Sequence, residues 1–471
     1  MLRRLSGGAA AKWRVAVVGS GPAGFYTADQ LLKGDPGVHV DIYERLPVPF
    51  GLVRYGVAPD HQTVKHVTRR FTQIASDERC RLIGNVSVGM PDPSATAAHL
   101  PLPALREAYD GVILSYGASA DRALGVSGEG LAGVCSARSF VEWYNGHPDG
   151  EPFDLSKVET AVVVGNGNVA LDCARILCAT PDELQGSDVA ARAAAELARS
   201  SVRQVVLLGR RAPLHAAFTI KELRELTKRA GCRLTLEAEA DAFSEAVVAA
   251  AAREGARSRL LELMRKVATP ADGEEENRPK TIRLQFQRSP KAFVPSASDP
   301  RAVGGVTVCR TALEGPPSAA QRAVEIDGSE YELPCELAMR SVGYKSLPID
   351  GAPFDEKRGI VPNSLGRVAG ENGLYVAGWL KRGPSGVILT NVNDAAETAA
   401  SVLEDWRAGV LGAARGGANA IDALLAEQGK PIVGFDGWRR VDEEEVRRGA
   451  LVNKAREKVV SKAEMLEIAM K

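Results

Sequence analysis

The chain has no paired cysteine motif. Its seven cysteines are Cys80, Cys135, Cys173, Cys178, Cys232, Cys309 and Cys335, and no two of them form a C-x-x-C. That scatter excludes a thioredoxin-type dithiol relay and leaves an iron–sulfur cluster without a ligand set in this chain. The thiols are expected to be reduced and mostly buried, and no metal site is expected. Charge of one sign is lacking too. The 59 basic and 59 acidic residues cancel, so no basic field points to nucleic acid. No apolar run approaches the length of a transmembrane helix. What remains is a chain of 471 residues, enough for two or three domains with large cores.

Glycine is what the chain places with purpose. Gly19-Ser20-Gly21-Pro22-Ala23-Gly24 follows the apolar run Val15–Val18, and Gly165-Asn166-Gly167-Asn168-Val169-Ala170 follows Ala161–Val164. Each has a strand pattern before it and an amphipathic helix pattern after it, Phe25–Lys33 in one case and Val169–Leu177 in the other. In such a loop the first glycine relieves a sharp turn and the second lets a pyrophosphate approach the backbone. The third position must be small because helix and strand pack closely there, and the phosphates rest on the helix N-terminus.

The next strand of each unit distinguishes the two nucleotides. Val38–Tyr43 alternates and ends at Glu44, a carboxylate that accepts from ribose hydroxyls and repels a 2′-phosphate. That site is expected to take FAD or NAD. Val205–Leu208 runs instead into Gly209-Arg210-Arg211. Two guanidiniums at that position match a 2′-phosphate through charge-assisted bidentate bonds, so the second site is expected to take NADP(H).

Along the chain, residues 1–12 are basic, contain Ser and Ala and hold no acid. This is the flavour of a mitochondrial transit segment, with a bacterial leader as the alternative. Pro47–Gly56 is a glycine- and proline-rich loop past the end of the first unit, where ligands bind in open α/β sheets. Val112–Ala118 reads as a buried strand closing a domain, and 119–155 as a linker region. Helical stretches are expected over 179–201 and 242–268, and strands over 282–286, 305–309, 336–339 and 373–379. In the polar tail, Asp442 is placed to cap a helix starting at Glu443.

Three further segments carry a resemblance. Pro49–His61 (PFGLVRYGVAPDH), Phe218–Glu225 (FTIKELRE) and Gly378–Gly386 (GWLKRGPSG), together with Gly209-Arg210-Arg211, resemble the signature of adrenodoxin reductase-type ferredoxin–NADP⁺ reductases. The likeness covers nearly the whole chain. It implies an α/β architecture of two Rossmann-like dinucleotide-binding domains, with the NADP domain inserted into a discontinuous FAD domain. The implied limits are 13–118 and 339–471 for FAD, the second part ending in a helical tail, and 119–338 for NADP. Carried over by position, Gly19, Gly21, Pro22, Ala23, Gly24, Glu44, Leu52, Val88, Trp379, Gly386, Val387 and Ile388 are implied FAD contacts. Gly165, Asn166, Gly167, Asn168, Val169, Arg210, Arg211, Glu222 and Gly386 are implied NADP contacts. The chain departs from the family at Asn166, where Gln is common, and at Gln62, where Pro is common. Trp379 stands where disulfide reductases usually carry aspartate, which favours the adrenodoxin reductase reading.

The function so implied is hydride transfer from NADPH to FAD, followed by single-electron transfer to a [2Fe-2S], adrenodoxin-like ferredoxin. His61 and Glu222 are the catalytic candidates, either relaying a proton or setting geometry. Arg253, Arg257, Arg259, Arg265 and Lys266 lie on one helical stretch and are candidates for docking an acidic ferredoxin. The alternatives are a redox-silent flavoprotein that senses NADPH and a flavin subunit like that of glutamate synthase. The expected place of work is the mitochondrial matrix, with peripheral contact to the inner membrane, or a bacterial cytoplasm.

Overall fold

The computed structural model describes residues 12–92, 94–229, 231–253, 255–269, 279–318, 320–411 and 417–471. The basic leader therefore lies outside the described residues, except Lys12. The described chain forms two compact units. One runs to Ala120 and resumes over Tyr344–Lys471, and the other is Asp121–Gly343.

The first unit is built on a seven-stranded sheet. The Trp13–Val18 strand lies at its heart, parallel to Val38–Glu44 on one side and Gly111–Leu114 on the other. Chain order reverses at that central strand, so its C-terminal end opens on a topological switch point, the place where α/β sheets bind ligands. Cys80–Gly84 extends the sheet beyond Val38–Glu44, and Leu374–Val376 extends it beyond Gly111–Leu114. Val15, Val17, Val40, Ile42, Val112 and Ile113 are fully buried, as expected of parallel strands covered on both faces. The Pro22–Gly34 helix covers one face, with proline in its first turn and Ala28, Leu31 and Leu32 inward. Its N-cap, Gly21, makes no side-chain cap bond, which leaves the first-turn N–H groups for another acceptor.

The second unit repeats the plan. Thr160–Val164 lies between Gln204–Gly209 and Leu337–Arg340, all parallel. Lys280–Phe286 and then Cys232–Glu237 follow outside Gln204–Gly209, and Val134–Ser136 flanks Leu337–Arg340. The Asn168–Leu177 helix leaves the glycine loop with Leu171, Ala174 and Leu177 buried. An antiparallel sheet over Arg288–Pro295, Val303–Glu314, Arg322–Glu325 and Tyr331–Pro334 completes the unit.

Five expectations need correction, and two are matters of extent: the helix expected over 179–201 is two short helices, Pro181–Leu184 and Ala191–Ala198, and the strand expected over 373–379 is Leu374–Val376, with Trp379 opening a helix. The 119–155 stretch is not a linker: Ala137–Tyr144 is a helix capped by Ser136, and Phe140, Trp143 and Tyr144 are almost wholly buried. The turn residues that suggested a linker, Asn145 to Gly150, follow this helix. The strand expected over 112–118 ends at Leu114. There Ser115 N–H makes a last bond to the Val18 carbonyl at 2.8 Å, and Ser115 Oγ donates to the Val18 and Gly19 carbonyls. Asp442 caps nothing, because its helix begins at Phe435. Asp442 instead lies mid-helix and pairs with Arg456 at 2.6 Å. The thiol expectation holds. All seven cysteines are free, and only Cys135 is short of full burial.

Candidate functional site

In each glycine loop the three small positions meet different surroundings. At Gly19 the backbone stands at φ +110°, and an added Cβ would lie 2.7 Å from the Ser115 carbonyl oxygen. At Gly24 the Cβ would strike the Gly19 carbonyl oxygen. Gly21 faces open space, with nothing within 4 Å. The second unit has the same logic. Gly165 stands at φ +132°, its Cβ would collide with the Ser341 carbonyl, and Gly167 is open. Ala170, in the third position, is fully buried. The first positions and Gly24 are closed by the protein's own backbone, Ala170 is buried, and the middle position of each loop is left clear above a helix N-terminus. That is a cradle for a pyrophosphate, and the residues present fit one in both units.

The first loop is roofed. Phe50 N–H donates to the Ser20 carbonyl at 3.1 Å, and a Cβ on Gly51 would lie 3.2 Å from Gly21 Cα. Phe50 reaches this place at φ +86°, which costs about 1–3 kcal/mol for a residue with a side chain. Its ring is buried against Phe25, Phe71 and Trp438, with centroids 5.6, 5.9 and 5.5 Å away. Burial of such a ring contributes about 1.5–3 kcal/mol, and each aromatic pair about 0.5–1.5 more. Packing therefore outweighs the strain.

Glu44 ends its strand beside this loop. Its Oε2 accepts from Ser20 N–H at 3.2 Å and Ser20 Oγ at 2.6 Å, and its Oε1 accepts from Leu46 N–H at 3.0 Å. The carboxylate is held in one orientation, with lone pairs left for ribose hydroxyls. Leu52 opens the short helix Leu52–Tyr55, and Val88 is buried at the end of Val86–Val88. Gly378 stands at φ +74°, so close to Ala23 that a Cβ would lie 2.5 Å from the alanine Cβ. Trp379 starts a four-residue helix, its ring 5.3 Å from Tyr344. Gly386, at φ +85°, packs against Thr390, with Val387 exposed beside it and Ile388 partly buried. His61 precedes the Gln62–Lys65 turn, its N–H on the Ala58 carbonyl at 3.0 Å.

In the second unit the strand carrying the arginines ends at Gly209, where a Cβ would lie 2.8 Å from Asn166 Nδ2. The glycine loop and the arginine pair are thus next to each other. The backbone of the pair is pinned: Thr311 Oγ1 donates to the Arg210 carbonyl at 2.7 Å and Gln287 N–H to the Arg211 carbonyl at 3.2 Å. Arg210 is exposed and Arg211 partly buried. Asn168 Oδ1 accepts from Thr219 N–H at 2.9 Å, and Thr219 caps the Ile220–Thr227 helix that bears Glu222. Glu222 is nearly buried and takes Arg175 Nη1 at 3.4 Å. Arg175, itself 2% exposed, also holds Asp172 at 2.7 Å. Four groups here escaped the sequence reading: Ser20, Arg175, Asn168 as a tie to Thr219, and Glu445, which pairs with Arg54. Ser20 and Asn168 lie inside the two glycine motifs without standing out there, while Arg175 and Glu445 meet their partners across 47 and 391 residues.

The five basic candidates differ. The Gly255–Ala268 helix buries Leu260, Leu261 and Met264, leaving Arg259, Arg265 and Lys266 exposed, as is Arg253. Arg257 is partly buried and donates to the Leu214 carbonyl at 2.5 Å.

Two largely parallel sheets, each with a dinucleotide-type glycine loop at its switch point, define a two-nucleotide oxidoreductase. Consistent with that class, the model of the pyridine nucleotide-disulphide oxidoreductase family matches residues 13–257. Within the class, the chain is 47% identical to the human mitochondrial NADPH:adrenodoxin oxidoreductase over 97% of its own length and 91% of that protein's. It is 39% identical to the NADPH-ferredoxin reductase FprA of Mycobacterium leprae, over 96% and 98% of the two chains. The solved structure of Mycobacterium tuberculosis FprA in complex with NADPH superposes with a TM-score of 0.89 at 37% identity, covering 98% of this chain and all of that one. The chain belongs to the NADPH:adrenodoxin oxidoreductase family.

Proposed function

We propose that the protein is an FAD-dependent oxidoreductase that takes a hydride from NADPH and passes electrons singly to a ferredoxin of the [2Fe-2S] type. The observation that carries this reading is the pair of open glycine cradles, one closed by Glu44 and the other by Arg210 and Arg211. FAD, when bound, supplies the exchange between two-electron and one-electron chemistry. The chain's own residues bind, orient and enclose. Gly21 and the free N–H groups that follow it receive the flavin nucleotide's pyrophosphate, Glu44 its ribose, and the Pro47–Gly56 roof keeps water from that loop. Ala23, Leu52, Val88, Trp379 and the Gly386–Ile388 turn complete the FAD contacts. Gly167, Asn166, Asn168 and Val169 receive the NADPH pyrophosphate, and Arg210 and Arg211 its 2′-phosphate.

His61 and Glu222 are the polar residues assigned to the reacting end. Arg175 fixes the Glu222 carboxylate, so Glu222 serves as an oriented acceptor for the carboxamide or for a proton. The exposed Arg253, Arg259, Arg265 and Lys266 offer an acidic ferredoxin a basic face. Neighbouring exposed cations raise the encounter rate in a salt-dependent way. Among the described residues no helix is long and apolar enough to cross a membrane. The relatives named as mitochondrial support a place of work in the matrix, with any membrane contact peripheral.

The test is a steady-state assay of the FAD-loaded protein with NADPH. The acceptors are a [2Fe-2S] ferredoxin coupled to cytochrome c and, separately, ferricyanide. Reduction of both supports the reading. Ferricyanide reduction with none through any of a panel of ferredoxins would remove the ferredoxin from it. Failure of NADPH to bleach the flavin anaerobically would favour the NADPH-sensing alternative.

A further inference from the structure

Two cysteines far apart in the chain meet within the second unit. Cys178 is the C-cap of the Asn168–Leu177 helix, and Cys232 opens the Cys232–Glu237 strand. Three ties bring these places together. Lys280 stands opposite Cys232 in the parallel ladder, and its Nζ donates to the Leu177 carbonyl, one residue before Cys178, at 3.0 Å. Arg229 Nη1 donates to the Arg175 carbonyl and to the Glu183 carboxylate, each at 3.0 Å, on the two sides of Cys178 in sequence. A Cβ on Gly231 would lie 3.6 Å from the Thr180 methyl group. Among these ties the two thiols are in hydrogen-bond contact with each other. Both are buried, Cys178 at 1% and Cys232 at 2% exposure. Their surroundings treat them unequally. The hydrogen bond from Cys178, joined by Arg229, the Ile282 backbone and Lys280, outweighs burial and holds the Cys232 thiol below its ordinary range. The same bond, and burial after it, push the Cys178 thiol well above that range.

We propose that Cys178 and Cys232 are a redox modification site, a buried dithiol that hydrogen peroxide closes to a disulfide. Cys232 is the attacking sulfur, because the thiolate is the nucleophile and a donated hydrogen bond and two cations favour it there. Its sulfur bonds to one peroxide oxygen as the O–O bond breaks, and the other oxygen leaves as water with the Cys232 proton. The Cys178 sulfur then attacks the resulting sulfenic acid. The S–S bond forms, the S–O bond breaks, and a second water leaves with the Cys178 proton. In all, two thiols lose two electrons, and one peroxide is reduced to two waters. The bond fastens the C-terminal end of the helix that begins beside Gly167 to the outer strand of its sheet. Cys135 and Cys173 provide an internal comparison. They lie within electrostatic reach of each other, yet burial pushes both thiols up, so neither is set to attack.

The experiment treats the FAD-loaded protein with hydrogen peroxide, alkylates the remaining thiols after denaturation, and maps the peptides by mass without reduction. The expected result is a peptide pair joined through Cys178 and Cys232, lighter by two hydrogen atoms, which dithiothreitol separates. Cys135 and Cys173 should stay reduced under the same treatment. The Tm of the oxidised protein should rise by several degrees, as for a cross-link that closes a long loop, and fall back on reduction. Amide hydrogen exchange in the last turn of the Asn168–Leu177 helix should slow in parallel. In Cys178→Ala the reaction should stop at a Cys232 sulfenic acid, which dimedone traps, and the Tm shift should vanish. If the wild-type map shows both thiols alkylated after peroxide, or a link between Cys135 and Cys173 formed first, the inference is overturned. That map needs no variant, so it decides the matter even where a cysteine replacement fails to fold.

Discussion

Replacing Gly167 by alanine separates binding from folding in a way no other position in the second loop allows. Gly167 is the N-cap of the Asn168–Leu177 helix at φ −94° and ψ 177°, a conformation open to any residue. Its added Cβ would meet no heavy atom within 4 Å. The unfolded chain loses freedom worth about 0.4–1 kcal/mol, which the poorer fitness of alanine at an N-cap offsets by a similar amount, so stability should hold close to that of wild type. In the proposed reading, however, the open space is the approach path of the pyrophosphate. A methyl group there lifts the phosphate from the helix N-terminus and lengthens or breaks one charge-assisted hydrogen bond. Such a bond contributes about 1.5–3 kcal/mol, equivalent to roughly 10- to 150-fold in affinity. The assay is stopped-flow reduction of the flavin at increasing NADPH, alongside thermal unfolding of the same sample. The expected outcome is an apparent Kd raised by at least tenfold with a Tm close to that of wild type. Gly165→Ala, whose Cβ would collide with the Ser341 carbonyl at φ +132°, should instead lower Tm. An unaltered NADPH Kd in Gly167→Ala would refute the cradle geometry.

Three shorter expectations follow from other features. Arg54 and Glu445 form a buried pair, with side chains 4% and 0% exposed. Removing the acid as Glu445→Leu strands the arginine at a cost of about 3–5 kcal/mol, whereas Arg54→Met with Glu445→Leu should recover much of that in a thermal melt. Burial alone would raise the Glu445 carboxyl, but Arg54 and Arg456 outweigh it and hold it below the ordinary range. Its stabilisation is therefore complete above the unfolded value of about 4.3 and lost as pH falls through the lower folded value. Wild type should lose Tm in that window, more steeply than the double variant. Burial pushes the thiols of Cys80, Cys135 and Cys335 up to about 12. A thiol reagent at pH 8 should thus label these three slowly in the native protein and quickly after denaturation. Rapid native labelling of any of them would contradict the packing. Charge reversal at Arg259 and Arg265 should raise the KM for ferredoxin several-fold at low salt and leave ferricyanide reduction intact. Equal loss of both activities would remove the docking role.

The parts of this protein that sequence makes legible are those where one residue type answers one backbone demand. Gly19 and Gly165 stand at positive φ because their strands must turn at once into helices, and that demand is written locally. So is the alternation that brings Val38–Glu44 to its acid. Asn145 to Gly150 misled because turn residues mark the end of an element as readily as a linker. Only the packing shows that Phe140, Trp143 and Tyr144 make the preceding helix part of a core. Asp442 misled because a Glu run after an Asp reads as a helix start, while Gly434 and Phe435 before it begin the helix in fact. The groups that orient the site were hidden for a different reason. Arg54 and Glu445 are 391 residues apart, and Arg175 meets Glu222 across 47. No local pattern announces such a meeting.

The two glycine loops, alike in sequence, differ in how each is enclosed within its own unit, and the difference fits the tasks of two nucleotides. The first is covered. Phe50 and Gly51 lie on it, the aromatic cluster holds them there, and Arg54, four residues past Phe50, is tied by charge to a helix near the C-terminus. In the proposed reading a nucleotide held beside that covered loop is released by loosening contacts worth several kcal/mol. That suits a cofactor that stays through many turnovers. The second loop is tied over as well, Ala217 N–H donating to the Asn166 carbonyl at 3.2 Å and Thr219 N–H to Asn168 Oδ1 at 2.9 Å, but no aromatic cluster is built over it, and Arg210 is exposed at the outer end of a strand. Charge draws a ligand there quickly and lets it go without unpacking a core. That suits a reductant that must be exchanged every cycle. Glu44 and the arginine pair thus do more than choose between a ribose and a phosphate. In the proposed reading each also sits in surroundings suited to how long its nucleotide should remain.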